Sequence, residues 1–187
     1  MLRTLSEKIA RDTENKADAR LFLFFIPVAY ISFVFHELGH YAAGELLGNR
    51  MVFSLNYVWP LGGNYRHAAD ALYASMGGPA FTILLSVMAL LLVLKFKSIY
   101  AYAFVIFQFT NRFFALVFGG FGRQDEARIA EMLGTGRFVV ALVVMLLLAG
   151  LACVGSRALK LNFKTNWYLF TVSIICMVLV IATYTLL

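Results

Sequence analysis

Phe35-His36-Glu37-Leu38-Gly39-His40-Tyr41 lies inside an apolar run that begins near Leu21. On a helix, residues four apart share a face, so His36 and His40 are spaced to grip one metal ion together. Glu37 stands beside them and is better suited to a general base than to a third ligand. Background composition yields this pattern by accident in roughly one chain of this length in a few hundred. The competing reading of the same residues is a buried polar network joining helices. Histidine and glutamate are costly inside a membrane helix and usually mark function there, which favours the metal.

The surroundings are those of a membrane protein. The chain has 187 residues, of which 61% are hydrophobic and 16% aromatic. Its mean hydropathy is +0.80, too apolar for a soluble globule. It reads as an all-α polytopic membrane protein with about five transmembrane helices. The formal net charge of +6 is not a nucleic-acid signature, because the basic residues gather at segment ends, where they orient helices and meet anionic headgroups. Cys153 and Cys176 both fall in apolar runs and read as packing residues rather than a zinc pair. The first twenty residues are charged rather than apolar, so the first membrane helix is expected to be the first targeting signal.

Taken in order, residues 1–20 read as a surface segment, either an amphipathic helix with Leu2, Leu5 and Ile9 on one side or a solvated tail. Leu21 to about Leu47 is the first helix, with Pro27 inside it and the motif in its second half. Gly44 and Gly48 continue the spacing of His40 and form a small-residue stripe that would admit another helix to the metal face. Gly48-Asn49 stops the helix. Arg50 to His67 is rich in strand formers and turn residues, and is too short and broken to span as a helix. It reads as a β-hairpin or re-entrant loop near the active site. His67, a loop histidine, is left out of the metal site.

Asp70 to Leu94 is the second helix. Gly77-Gly78-Pro79 near its start is expected to loosen it and free carbonyls that Thr82 helps to satisfy. Ile99 to Phe118 is the third, and Gln108, Asn111 and Arg112 on it call for a face turned to protein or water. After the Gly119-Gly120-Phe121-Gly122 break, a helical pattern runs to Leu133 and stops at Gly134. Its adjacent carboxylates, Asp125 and Glu126, are both candidates for the third ligand a catalytic zinc needs. Helices at Arg137 to Val154 and Trp167 to Leu187 have no ionisable residue in their centres and read as scaffold or lipid-facing, with Arg157, Lys160 and Lys164 between them. With five spans, about ten basic residues fall on the N-terminal side and about five on the other. This puts the N-terminus in the cytoplasm and the motif in the outer half of the first helix.

Three motifs in this order resemble the site-2 protease family of intramembrane zinc metalloproteases. His36-Glu37-Leu38-Gly39-His40 matches its H-E-x-G-H. Gly78-Pro79-Ala80-Phe81-Thr82 resembles its G-P-x-x-N, with Thr82 where the family has Asn. Asp125-Glu126-Ala127-Arg128-Ile129 resembles its D-G-x-R-I, with Glu126 in place of Gly and Gln124 where Leu is usual. The loop after the first helix stands where the family has a β-hairpin. The resemblance covers roughly Leu21 to Leu133, which makes residues 21–133 a metalloprotease core and 134–187 two additional helices. It implies Zn2+ held by His36, His40 and Asp125, Glu37 as the catalytic base, and Thr82 and Asn111 as candidates for substrate or oxyanion contact. It further implies a transmembrane protein substrate that unwinds locally, the lipid bilayer as medium, and an adaptor or regulator supplied by another protein. Two other functions use the same residues. A metal-ion transporter would need polar residues through several helices, and a catalytically silent homologue acting as a regulator would have no need of Glu37.

Overall fold

The computed structural model describes residues 19–54, 57–118, 122 and 124–186. Among these, six helices and one hairpin follow in the order α1 (Ala19–Leu46), β1 (Met51–Phe53), β2 (Val58–Pro60), α2 (Ala68–Phe96), α3 (Ile99–Val117), α4 (Asp125–Met132), α5 (Val139–Ala158) and α6 (Phe163–Leu186). Every helix but the short α4 is long and apolar enough to cross a membrane. This is the architecture of an all-α polytopic membrane protein. Of the N-terminal surface segment, residues 1–18 lie outside the described residues, while Ala19 and Arg20 already belong to α1.

At 28 residues, α1 is about 42 Å long, more than the roughly 30 Å of a hydrocarbon core. It runs through Pro27 and ends where expected. Gly48 takes φ +81. The Asn49 N–H then bonds the Gly44 carbonyl at 3.1 Å and the Gly48 N–H that of Glu45 at 2.9 Å. These are the paired bonds of a glycine-terminated helix, which satisfy carbonyls that would otherwise be orphaned.

The small-residue contact lies one turn earlier than the sequence suggested. Gly44 packs against the Met51 side chain of the hairpin rather than against a helix. The close helix–helix approach is at Gly39, where an added Cβ would land on the Gly77 carbonyl oxygen, and the reverse holds for Gly77 on Gly39. Lipid tails give helices no hydrophobic reason to associate, so close backbone packing of this kind is what joins them. The role expected of Gly77-Gly78-Pro79 changes accordingly. The α2 helix continues through them, and the glycines serve to admit α1. Substitution of Gly77 by Ala is expected to cost about 1–3 kcal/mol by overpacking, since the atom it meets is backbone and cannot yield. Gly150→Ala, at a helical position where an added Cβ meets nothing among the described residues, is expected to leave thermal unfolding in detergent unchanged; equal melting of the two variants would refute the contact.

At the end of the bundle away from the hairpin, Leu21, Phe25 and Val28 of α1 pack with Tyr102, Val105 and Phe107 of α3 and with Leu169, Cys176 and Val180 of α6. Polar bonds join the same helices. Gln108 Nε2 donates to Ser32 Oγ at 2.7 Å, and the Tyr102 hydroxyl donates to Asn166 Oδ1 at 2.9 Å. The polar face expected on α3 is thus turned inward: Gln108 and Arg112 are both buried. Val143, Leu146 and Leu147 on α5 are exposed, an apolar face suited to acyl chains. The last two helices run further than read. Arg157 lies in the last turn of α5 and Lys164 in the first turn of α6, because long basic side chains reach the interface without ending a helix. Asn162 Oδ1 accepts from the Thr165 N–H at 2.8 Å and starts α6 there.

The two strands pair antiparallel with Met51 opposite Pro60, Val52 opposite Trp59 and Phe53 opposite Val58. The Ser54 N–H donates to Tyr57 at 3.0 Å and the Leu61 N–H to Arg50 at 2.6 Å. Bonded and non-bonded pairs alternate in such a ladder. The backbone N–H and C=O of Val58 therefore point away from β1. Pro60, on the same outer edge, has no N–H to offer.

Candidate metal centre

Three elements bring the site together. α1 supplies His36, Glu37 and His40, α2 passes behind the rings, and the first residue of α4 supplies Asp125. One donor atom each from His36, His40 and Asp125 lie within 4.8 Å of one another. His36 Nε2 is 3.0 Å and His40 Nε2 3.2 Å from Asp125 Oδ2, and the two Nε2 atoms are 3.2 Å apart. The three are placed to hold one metal ion.

The supporting contacts orient the rings. His40 Nδ1–H donates to the Ala74 carbonyl at 2.7 Å. That bond turns Nε2 toward Asp125, as a backbone carbonyl does for many metal-binding histidines. His36 Nδ1 lies 3.0 Å from Thr82 Oγ1. Thr82 is buried and stands behind the His36 ring, so the residue expected near substrate touches a metal-ligand candidate instead. Gly78 is needed for the rings to fit, because a Cβ there would collide with His40 Nε2 and with His36 Cε1. Burial pushes the Asp125 carboxyl up, but hydrogen bonds from both histidines outweigh it and hold the group well below the ordinary carboxylate range. It is therefore an anion at neutral pH.

Beside the triad is a cavity of about 240 Å³. His36, Glu37, His40, Asn111, Arg112 and Asp125 are among the residues that line it, so the candidate base and Asn111 share one space with the three candidate ligands. Tyr57, Val58, Tyr65 and Arg128 line both this cavity and a second one against the hairpin. Burial pushes the Tyr65 hydroxyl up despite Arg128 nearby, so it remains a neutral phenol.

Glu126 does not share the metal site. It is buried and takes Arg112 Nη1 at 3.0 Å and 3.2 Å on its two oxygens. The adjacent carboxylates diverge because successive residues on a helix project about 100° apart. His67 is exposed, precedes α2 and donates its backbone N–H to Asp70 Oδ2 at 3.2 Å; it is not part of the triad. Sequence reasoning gave no role to Arg112 at the site, nor to Tyr65 or the Ala74 carbonyl. The spacing of Gln108 and Arg112, four apart on one face, with an acid following the glycine break, was the one signal for the first of these.

Comparison with family models, with characterised proteins and with solved structures gave no match.

Proposed function

We propose that the chain is an intramembrane zinc metalloprotease of the site-2 protease type, cutting a peptide bond in or near a transmembrane segment of another protein. The observation that carries this reading is the convergence of His36, His40 and Asp125 at 3.0–3.2 Å with Glu37 on the wall of the same cavity. Donors about 2.0–2.1 Å from a tetrahedral zinc lie about 3.3 Å apart, so the spacing suits that ion. The bound ion supplies a Lewis acid that polarises a water and the scissile carbonyl.

The chain's residues do the rest. Asp125 contributes negative charge to the ion's binding. The Ala74 carbonyl turns His40 Nε2 toward Asp125. Glu37 takes the proton of the attacking water as its oxygen bonds to the carbonyl carbon, and returns a proton to the amine as the C–N bond breaks. A helical peptide bond is shielded by its neighbours, so the substrate must be unwound to enter. The outward N–H and C=O of Val58 offer the unwound stretch a strand to pair with, and Val58 lines the cavity. The N-terminus is cytoplasmic in this reading, which labelling of single cysteines at Ser6 and Thr185 from each side tests.

The experiment for the reading as a whole is metal analysis of the purified protein with a cleavage time course on transmembrane peptides in lipid. Absence of bound zinc, or of any cleavage by the zinc-loaded protein, would refute it. For the strand edge, Val58→Pro removes the outward donor and is expected to impair cleavage with zinc retained. Parallel loss of zinc and cleavage would make the hairpin a structural lid.

A further inference from the structure

Arg112 is a cation buried in the apolar helix α3, 8% exposed, against a Glu126 that is 3% exposed. Stability alone does not account for such a pair, since apolar replacements of buried ion pairs are often as stable or more so. Nor is the guanidinium fully satisfied. Glu126 takes Nη1, while the buried Nε–H has no hydrogen-bond partner among the described residues. A buried unpaired donor is costly and calls for an explanation in function or strain.

Its other end is at the site. Nη2 is 2.9 Å from His36 Nδ1 and 3.3 Å from His36 Nε2, and Arg112 lines the cavity. Nη2 can only donate, so its bond to the ring needs a bare Nδ1; with Nε2 on a metal, Nδ1 carries the hydrogen, Thr82 Oγ1 at 3.0 Å accepts it, and Nη2 is released. Nη2 thus lies at the His36 edge that carries both ring nitrogens, one of which faces Asp125. A reacting carbonyl in the cavity comes within its reach.

We propose that Arg112 is a further catalytic residue, which donates from Nη2 to the scissile carbonyl oxygen as negative charge develops there, and that Glu126 positions it by fixing Nη1. This rests on the protease reading. As the water oxygen bonds to the carbonyl carbon, the π pair moves onto the oxygen that Arg112 faces. On collapse the pair returns, the C–N bond breaks and the amine leaves with the proton that Glu37 carried. A preformed donor aimed at developing charge acts mainly in the transition state. Glu126 thus answers the glycine expected at its position, by holding in place a cation that a glycine would leave unpaired.

The test uses the full zinc-loaded chain with Arg112→Lys, Arg112→Gln, Glu126→Gln and the double variant Arg112→Gln/Glu126→Gln, which leaves no unpaired buried charge if a single variant fails to fold. Zinc per chain, kcat and KM on a transmembrane peptide are measured. So is the affinity, by calorimetry, of a phosphinic pseudo-dipeptide, whose oxygens stand in for those of the tetrahedral carbon. The expected result for Arg112→Gln is unchanged zinc and KM, a fall in kcat of about 10²–10³-fold, and a comparable fall in phosphinate affinity. Arg112→Lys, which keeps the charge and loses the planar fork, is expected to recover only part. Unchanged kcat and phosphinate affinity in the Arg112 variants would overturn the inference and leave the protease reading standing. Parallel loss of zinc and activity would also overturn it, making Arg112 a support for the metal site. A zinc-loaded wild type that neither cuts nor binds the phosphinate would bring down both.

Discussion

The Glu37→Gln protein is expected to keep its fold, its zinc and its hold on substrate, and to cut at least about a hundredfold more slowly than wild type. The amide has nearly the size of the carboxylate but cannot take a proton from the attacking water. General acid–base catalysis contributes about 10²–10⁴-fold, which bounds the loss. Glu37 is buried and no part of the ligand triad, so zinc has no reason to leave with its charge. Ground-state binding is mostly untouched, and uncut substrate should collect on the variant. A pulldown and a cleavage time course in lipid, run beside metal analysis, measure all of this. Near-wild-type cleavage by a zinc-loaded Glu37→Gln protein would sink the mechanism. A transporter would show altered ion flux instead, with no membrane protein building up.

Zinc itself is expected to fall from about one per chain to near none in His36→Ala, His40→Ala and Asp125→Ala, since three protein ligands are the minimum for a catalytic site. Glu126→Gln should retain it, because that side chain faces Arg112 rather than the triad. His67→Ala should retain it as well. Elemental analysis after gel filtration decides the matter. Zinc lost from Glu126→Gln and kept by Asp125→Ala would move the third ligand by one position. Loss of the Ala74 carbonyl bond is not open to side-chain mutation, but Gly78→Ala pushes on both rings. Disturbing the groups that orient metal-binding rings weakens metal binding about 10–100-fold, so Gly78→Ala should show zinc that a weak chelator removes.

The helices were legible because long apolar runs leave few choices in lipid, and the observed ends of α1 and α2 fall within two residues of those read. The pairing of His36 with His40 was legible because one helix holds both. What crosses between helices was not. Spacing left Asp125 and Glu126 equivalent and only the resemblance chose Asp125; in the structure Asp125 joins the two histidines and Arg112, on another helix, takes Glu126. The glycine contact was misplaced for a similar reason. Gly44 and Gly48 lie in register with His40, but the backbone that approaches α1 crosses at Gly39. Thr82 sat four residues beyond Gly78, and nothing in that spacing told whether it would face the cavity or the back of a ring.

The outer edge of β2 sets a limit on how firmly anything can be held there. Val58 offers both a donor and an acceptor, while the next outward residue, Pro60, has no N–H and its carbonyl already accepts from the Gly63 N–H at 2.9 Å. A peptide laid along this edge finds one complete rung and then a gap. Grip on the backbone is therefore weak and local. In the protease reading, a segment seated at Val58 is held by one rung, and its fragments have little backbone pairing to delay their departure. An edge with two complete rungs would hold a bound peptide longer, so Pro60 shortens the residence of whatever pairs there.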